Sequence, residues 1–308
     1  KNRIRTVLKS YKYLIIGSNG FIGKSLYGQL CDIINNNHIC CLDRYENTIA
    51  ATNYIRCDIR NYRELSEAVA NIDFDFVIYL VSDLSPSRSM DKYDKLYKIN
   101  VGALKNVLEV LRCRKIRHVI YASTCEVYGN KEFNANEESL TSPISIYSLT
   151  KLMAENMLIY YFNNYRLPVT IARLSLVYGG SQNNRFFIPQ AISKLGGNKS
   201  FDMTHGEQTR DFIYVEDVCN AFVKIIESEA FIGDVVNISS NTEISLKELT
   251  VLLKNILKSD SILNFGAIKY RDNEIMRYKI NNNKIVSRLH WQPRMKIKDG
   301  LVATIKEG

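Results

Sequence analysis

The feature that most constrains the fold is a glycine-punctuated turn near the start of the chain. Residues 13–17 (YLIIG) form an apolar run ending in glycine, and Gly17-Ser18-Asn19-Gly20-Phe21-Ile22-Gly23 then reads G-x-x-G-x-x-G. Apolar residues recur at helical spacing over 21–34, up to the Asn35-Asn36-Asn37 stop, so the order is strand, tight turn, helix. A second apolar run, 39–42, ends in Asp43 and completes a βαβ unit. Further runs at 54–56, 76–81, 119–122 and 169–172 alternate with helical stretches, notably 96–111 and 146–162. Parallel neighbours need crossover connections, so the alternation predicts an α/β fold: a Rossmann-like doubly wound parallel sheet with helices on both faces. After Arg173 the rhythm loosens into loops rich in Gly, Asn and Gln, which predicts a smaller C-terminal lobe. No Pro- or Ser-rich linker sets it apart, so the lobes interleave: 11–173 with part of 210–240 in the first, 174–209 and 241–308 in the second, and 1–10 as a basic tail.

Glycines at such a turn let the backbone approach a pyrophosphate, the last lets helix and strand pack closely, and the helix N-terminus offers unpaired N–H groups. Asp43 stands at the end of the second strand, where a carboxylate accepts bonds from an adenosine ribose. That favours NAD, while Arg44 beside it would admit the 2′-phosphate of NADP. Cys57-Asp58-Ile59-Arg60 follows the third strand, placed to bracket the adenine, although Asp58 would equally serve as cap of the next helix.

Charge and cysteine content narrow the ligands. Forty-one Lys and Arg against 32 Asp and Glu leave +9, a balance that suits nucleic acid, an anionic membrane or a polyphosphate. The basic residues are scattered rather than interleaved with aromatics, and neither a basic amphipathic helix nor an apolar run of about 18 residues is present. A polyphosphate ligand is what survives, with no nucleic-acid or membrane partner expected. The seven cysteines include no C-x-x-C pair and no histidine at metal spacing, which predicts no metal site and reduced thiols in the cytoplasm. The basic residues 1–10 are followed by no apolar run of signal-peptide length.

Tyr147 and Lys151 form Y-x-x-x-K on a predicted helix and share one face. An ammonium beside a phenol favours phenolate, lowering the tyrosine pKa toward the working range, so that it exchanges a proton with a carbonyl or hydroxyl. Thr124 ends a predicted strand, where ligands bind in such sheets, and its hydroxyl would bond the same substrate oxygen.

With GSNGFIG, Asp43, CDIR, Asn100-Val101, STCEVYG (123–129), YSLTK (147–151) and RDFIYVEDV (210–218) in this order, the chain resembles the extended short-chain dehydrogenase/reductase family that acts on nucleotide-activated sugars. The resemblance implies that Thr124, Tyr147 and Lys151 are the catalytic trio and that NAD(P)H is the cofactor. By position it implies cofactor contacts from Gly17, Asn19, Gly20, Phe21, Ile22, Gly23, Asp43, Arg44, Asp58, Ile59, Leu80, Ser82 and Asn100, besides Tyr147 and Lys151. It implies substrate contacts from Ser85, Thr124, Glu126, Arg210 and Arg271, the two arginines on the phosphates or nucleoside ribose. Members are often homodimers through the two long helices, here 96–111 and 146–162.

The C-terminal third, with GEQTRDFIYVEDVCNAF (206–222), FGAIKYRDNEIM (265–276) and HWQP (290–293), is similar to the CDP-abequose and CDP-paratose synthases and to dTDP-sugar 4-ketoreductases. Two departures matter. Many members place an Asn on the substrate where Leu176 stands, and the abequose and paratose enzymes resemble this chain in lacking it. The 4,6-dehydratases carry an Asp-Glu pair after the threonine, an acid and a base, where this chain has Cys125-Glu126. A thiol is a poor acid, so dehydration loses ground; Glu126 would orient a sugar hydroxyl or remain a loop carboxylate. The reaction implied is reduction of the C4 ketone of a dTDP- or CDP-linked 4-keto-6-deoxyhexose, with an NAD-dependent 4-epimerase as the nearest alternative, and a 4,6-dehydratase and a non-enzymatic Rossmann sensor behind it.

Overall fold

The computed structural model describes residues 10–84, 90–130, 133–272 and 274–308. Its centre is a seven-stranded, wholly parallel sheet. Six strands are β1 (Tyr13–Ile16), β2 (Ile39–Asp43), β3 (Asn53–Arg56), β4 (Phe76–Tyr79), β5 (His118–Thr124) and β6 (Val169–Leu174), and a seventh, Asp234–Ile238, arrives from late in the chain. Their order is Asp234–Ile238, β6, β5, β4, β1, β2, β3. The order reverses between β1 and β4, and crevices that hold ligands form at the carboxyl ends of strands flanking such a reversal.

Successive residues of β1 show why both faces are covered. Tyr13 and Ile15 enter one core with α1 (Phe21–Cys31) and helix Val215–Ile226, whereas Leu14 and Ile16 enter the other. The second core takes side chains from α2 (Tyr62–Ala68), α4 (Ala103–Leu111) and α5 (Ile146–Tyr165). A strand buried on both faces reads as a continuous apolar run, which is what YLII is.

The predicted helix over 96–111 is interrupted. α3 (Tyr93–Tyr97) passes through a π-helical segment, Lys98–Gly102, before α4 begins. Asn100 lies in that segment, buried against α5, where its Nδ2 donates to Thr150 Oγ1 at 3.0 Å.

The remaining elements build a smaller body beside the carboxyl ends of the sheet. Strand Leu176–Tyr178 pairs with Phe212–Tyr214, Thr209–Arg210 with Ile244–Ser245 and Arg277–Tyr278, and Phe201–Met203 with Leu263–Phe265. Helices Phe187–Gly196 and Leu246–Leu257 close over a separate apolar core that includes Tyr178, Leu195, Phe201, Leu249 and Leu253.

Candidate active site

The glycine turn is sterically fixed at both ends. Gly17 has φ +90° and its N–H donates to Leu42 O at 2.8 Å, locking the turn to β2. A Cβ on Gly23 would sit 2.4 Å from Gly17 O and 2.7 Å from Ser18 O, both backbone atoms that cannot yield. The helix that follows is capped by Gly20 and no side chain bonds its first turn, so its amide end faces the cleft.

Asn19 joins this turn to the end of β2. Its backbone N–H donates to Asp43 Oδ2 at 3.1 Å, and its side chain donates to Glu46 O at 2.7 Å and to the Tyr54 hydroxyl at 2.8 Å. Gly17, Asn19, Gly20, Asp43, Arg44, Asp58, Ile59, Leu80 and Ser82 all line one cleft of about 430 Å³. Arg44 stacks over the Tyr45 ring at 4.6 Å and bonds its hydroxyl. Asp58 does not cap α2: Asn61 does, accepting from Glu64 N, and Asp58 instead pairs with Arg60, whose guanidinium holds the carboxyl pKa below its ordinary value.

A second cleft of about 650 Å³ continues from the first past the glycine turn. Phe21, Ile22, Gly23, Thr124, Glu126, Tyr147, Lys151, Arg210 and Arg271 line it. Two elements position the central group. Thr124 ends β5 and is buried, its Oγ1 accepting from Glu126 N at 3.2 Å. Tyr147 opens α5, whose start is fixed by a reciprocal Ser145/Ser148 capping box. Lys151 lies one turn later, 1% exposed, and donates to Ala122 O at 2.6 Å.

The electrostatics differ from the sequence expectation. Burial raises the Tyr147 pKa above its ordinary value, and Glu126 and Cys125 raise it further, against the hydroxyls of Thr124 and Ser82. Lys151 does not draw the phenol down: burial lowers its own pKa to about 7, with Glu155 opposing, while its ammonium lies 4.0 Å from the Tyr121 ring centroid. Burial thus favours the neutral form of both groups.

One expected residue, Asn100, lines neither cleft. Asn100 is behind the cleft wall, where its Oδ1 accepts from Asp83 N at 2.8 Å and from Ser82 Oγ at 3.2 Å, so it fixes the segment that carries Ser82. Ser85 lies outside the described residues. Arg210 is already engaged: it ion-pairs with Glu274 and donates to Thr209 O and Ile275 O, each at 2.7 Å. Arg271 is exposed at the rim of the same cleft.

Beneath the trio lies a buried pair that sequence reading passed over. Glu155, two turns after Tyr147 on α5, accepts from Arg173 Nη2 at 2.7 Å and Nε at 3.1 Å, and from Ser123. The Tyr147, Lys151, Glu155 spacing of i, i+4, i+8 carried the signal. No group of three or more metal-ligating side chains gathers among the described residues, and no described helix is long and apolar enough to cross a membrane.

The continuous groove fits a dinucleotide: a carboxylate at one end, backbone amides on a glycine turn at the middle and a hydroxyl/phenol/ammonium group at the other. Comparison with known proteins agrees. The NAD dependent epimerase/dehydratase family matches residues 13–239. The chain is 30% identical over 321 residues to the CDP-abequose synthase of Salmonella typhimurium, spanning 98% of this chain and 99% of that protein. It is 28% identical over 316 residues to the dTDP-D-glucose 4,6-dehydratase of Homo sapiens, covering 96% of this chain and 89% of the relative. The solved UDP-glucuronic acid 4-epimerase of Bacillus cereus, in complex with UDP-glucuronic acid and NAD, superposes with a TM-score of 0.87 at 26% identity, covering 96% of this chain and 98% of that one.

Proposed function

The chain belongs to the NAD dependent epimerase/dehydratase family, and from that membership we propose that it reduces the C4 ketone of a dTDP- or CDP-linked 4-keto-6-deoxyhexose in deoxysugar biosynthesis. The observation that carries this reading is an apolar wall. Cys125, Ile144, Leu176, Ile275 and Tyr278 pack as one cluster, and all five line the cleft that also holds Thr124 and Tyr147. A C6 methyl gains by burial there. A hydroxymethyl set against these apolar side chains would give up water, at a cost of about 1–3 kcal/mol wherever no cleft hydroxyl or carboxylate bonds it, and a carboxylate would lose more.

When bound, the reduced nicotinamide supplies hydride chemistry. Tyr147, kept neutral by burial, donates its proton to the sugar oxygen, and the Thr124 hydroxyl orients that oxygen. The hydroxyls of Thr124 and Ser82, which favour the charged form, stabilise the phenolate that remains, and Lys151, one turn on, is assigned to the nicotinamide ribose. A neutral phenol suits reduction, whereas oxidation needs it first as a base. Dehydration would ask Cys125 for a proton, and burial pushes that thiol well above its ordinary pKa. Arg210 and Arg271 are assigned to the substrate diphosphate, for which guanidinium offers paired donors. The CDP-abequose synthase relative supports the deoxysugar assignment.

The same reading includes a homodimer through the outer faces of α3 to α5, where Tyr97, Tyr160 and Tyr165 are exposed. It includes a cytoplasmic setting, in keeping with seven unpaired cysteines. The test is incubation with dTDP- and CDP-4-keto-6-deoxyglucose and reduced cofactor. Stoichiometric loss of nicotinamide absorbance is the expected result; interconversion of sugar epimers without net cofactor change would replace the reductase with an epimerase.

A further inference from the structure

Six residues line both clefts: Gly17, Gly20, Leu80, Ser82, Leu84 and Arg185. Five come from the first part of the sheet and form the floor where the grooves join. Arg185 alone comes from the other body, and it alone is charged. It belongs to the loop between strand Leu176–Tyr178 and helix Phe187–Gly196. We propose that Arg185 is the front clamp of the cofactor site, pairing with the dinucleotide pyrophosphate from the side opposite the glycine turn. The proposal rests on the NAD assignment.

Three observations carry it. The glycine turn offers backbone amides and a helix end but no cation, and a dianionic pyrophosphate gains most from a charge-assisted, bidentate partner. Next, the other basic residues on the cofactor cleft are committed: Arg44 to Tyr45, Arg60 to Asp58, and Lys95 to Asp83 at 2.9 Å. Among the described residues the guanidinium of Arg185 meets only the face of Phe186, at 5.1 Å, and no carboxylate pairs with it. Lastly, its loop is anchored. Asn183 Oδ1 accepts from Arg185 N at 3.0 Å, and Gln182 Nε2 donates to Val177 O at 2.8 Å, so the arginine is presented by a fixed turn. Gln182, Asn183, Phe186 and Phe187 of this turn also line the catalytic cleft. Engagement of the cofactor by Arg185 thus sets the position of one wall of the sugar-nucleotide site.

Calorimetric titration of the full chain tests this with three ligands: NAD+, ADP-ribose, which keeps the pyrophosphate but lacks nicotinamide, and adenosine, which lacks both. Arg185→Ala should weaken NAD+ and ADP-ribose by about tenfold to a hundredfold, the range for one charged hydrogen-bonded partner. Adenosine binding should change less than about twofold, which also reports an intact fold, and Arg185→Lys should recover part of the loss as a point charge. Equal affinity of wild type and Arg185→Ala for ADP-ribose would overturn the clamp and leave the cofactor assignment standing. A wild-type chain that takes up none of the three would overturn both.

Discussion

The Lys151 ammonium lies 2.6 Å from the carbonyl oxygen of Ala122, on the strand that ends at Thr124. One hydrogen bond thereby ties the helix that carries Tyr147 to the strand that carries its neighbour. The bond is made inside the protein, where an ammonium is costly, and burial lowers the Lys151 pKa from 10.5 to about 7. The sign follows from proton counting. Between about pH 7 and the ordinary lysine value the unfolded chain binds more protons than the folded one, so stability rises with pH across that window. Below it both states are protonated and the full penalty of burying the cation is present. In thermal melts without nucleotide, wild type should therefore gain on Lys151→Met between about pH 7 and about pH 9. Parallel profiles would show that the ammonium is not desolvated as its burial indicates.

Tyr147 is expected to carry the proton. Tyr147→Phe should keep cofactor affinity and lower the rate by about 10²- to 10⁴-fold, the usual contribution of a general acid. Undiminished turnover would remove Tyr147 from the chemistry. The Thr124 and Ser82 hydroxyls oppose the rise that burial gives the Tyr147 pKa, so Thr124→Ala should make the phenol a weaker acid and slow the reaction, and single-turnover rates at one pH compare the two proteins.

The Glu155–Arg173 pair is the structural support of this centre. It joins α5 to β6, and Arg173 also lies 4.7 Å over the ring of Tyr128, whose hydroxyl donates to Asn237 at 2.7 Å on the edge strand. Removing one member of so buried a pair strands the other charge. Glu155→Ala should lower unfolding free energy by about 3–5 kcal/mol, while Glu155→Leu with Arg173→Met should restore much of it. Chemical denaturation of the single and double variants measures this; additive losses would mean that the two charges do not depend on each other.

What the chain made readable follows from periodicity and its limits. YLIIG and the helix after it were legible because a doubly buried strand and an amphipathic helix leave unlike patterns. The parallel sheet followed from that alternation. The π-helical segment at Lys98–Gly102 leaves no such mark. An extra residue in a helical turn changes no composition, and the cofactor contact that the resemblance implies for Asn100 gives no sign of its bonds to Ser82 and Asp83. Strands of two or three residues in the smaller body, such as Thr209–Arg210 and Ile244–Ser245, are too short for any period to show. Arg185 leaves no mark for a related reason: one arginine in a Gly- and Asn-rich loop has no spacing partner, and only the fold brings it to the cleft that Gly17 and Gly20 line.

Leu176 stands on the wall to which the proposed 6-deoxy preference is assigned. It packs with Cys125, Ile144, Ile275 and Tyr278 on the cleft wall. Leu176→Asn puts an amide into this wall with a hydrogen-bonding capacity that a methyl cannot use and a hydroxymethyl can. Discrimination worth one apolar group in such a pocket is about 10- to 200-fold. The variant should therefore lose about that much in kcat/KM for the 4-keto-6-deoxy substrate relative to its 6-hydroxylated counterpart, while its affinity for ADP-ribose is unchanged because Leu176 does not line the cleft that holds Asp43 and Asp58. Competition between the two sugar nucleotides reads the ratio directly. A variant with the wild-type ratio would mean that the C6 substituent does not meet this wall, and the proposed preference for a 6-deoxy substrate would then have to come from the loop that carries Gln182 and Asn183.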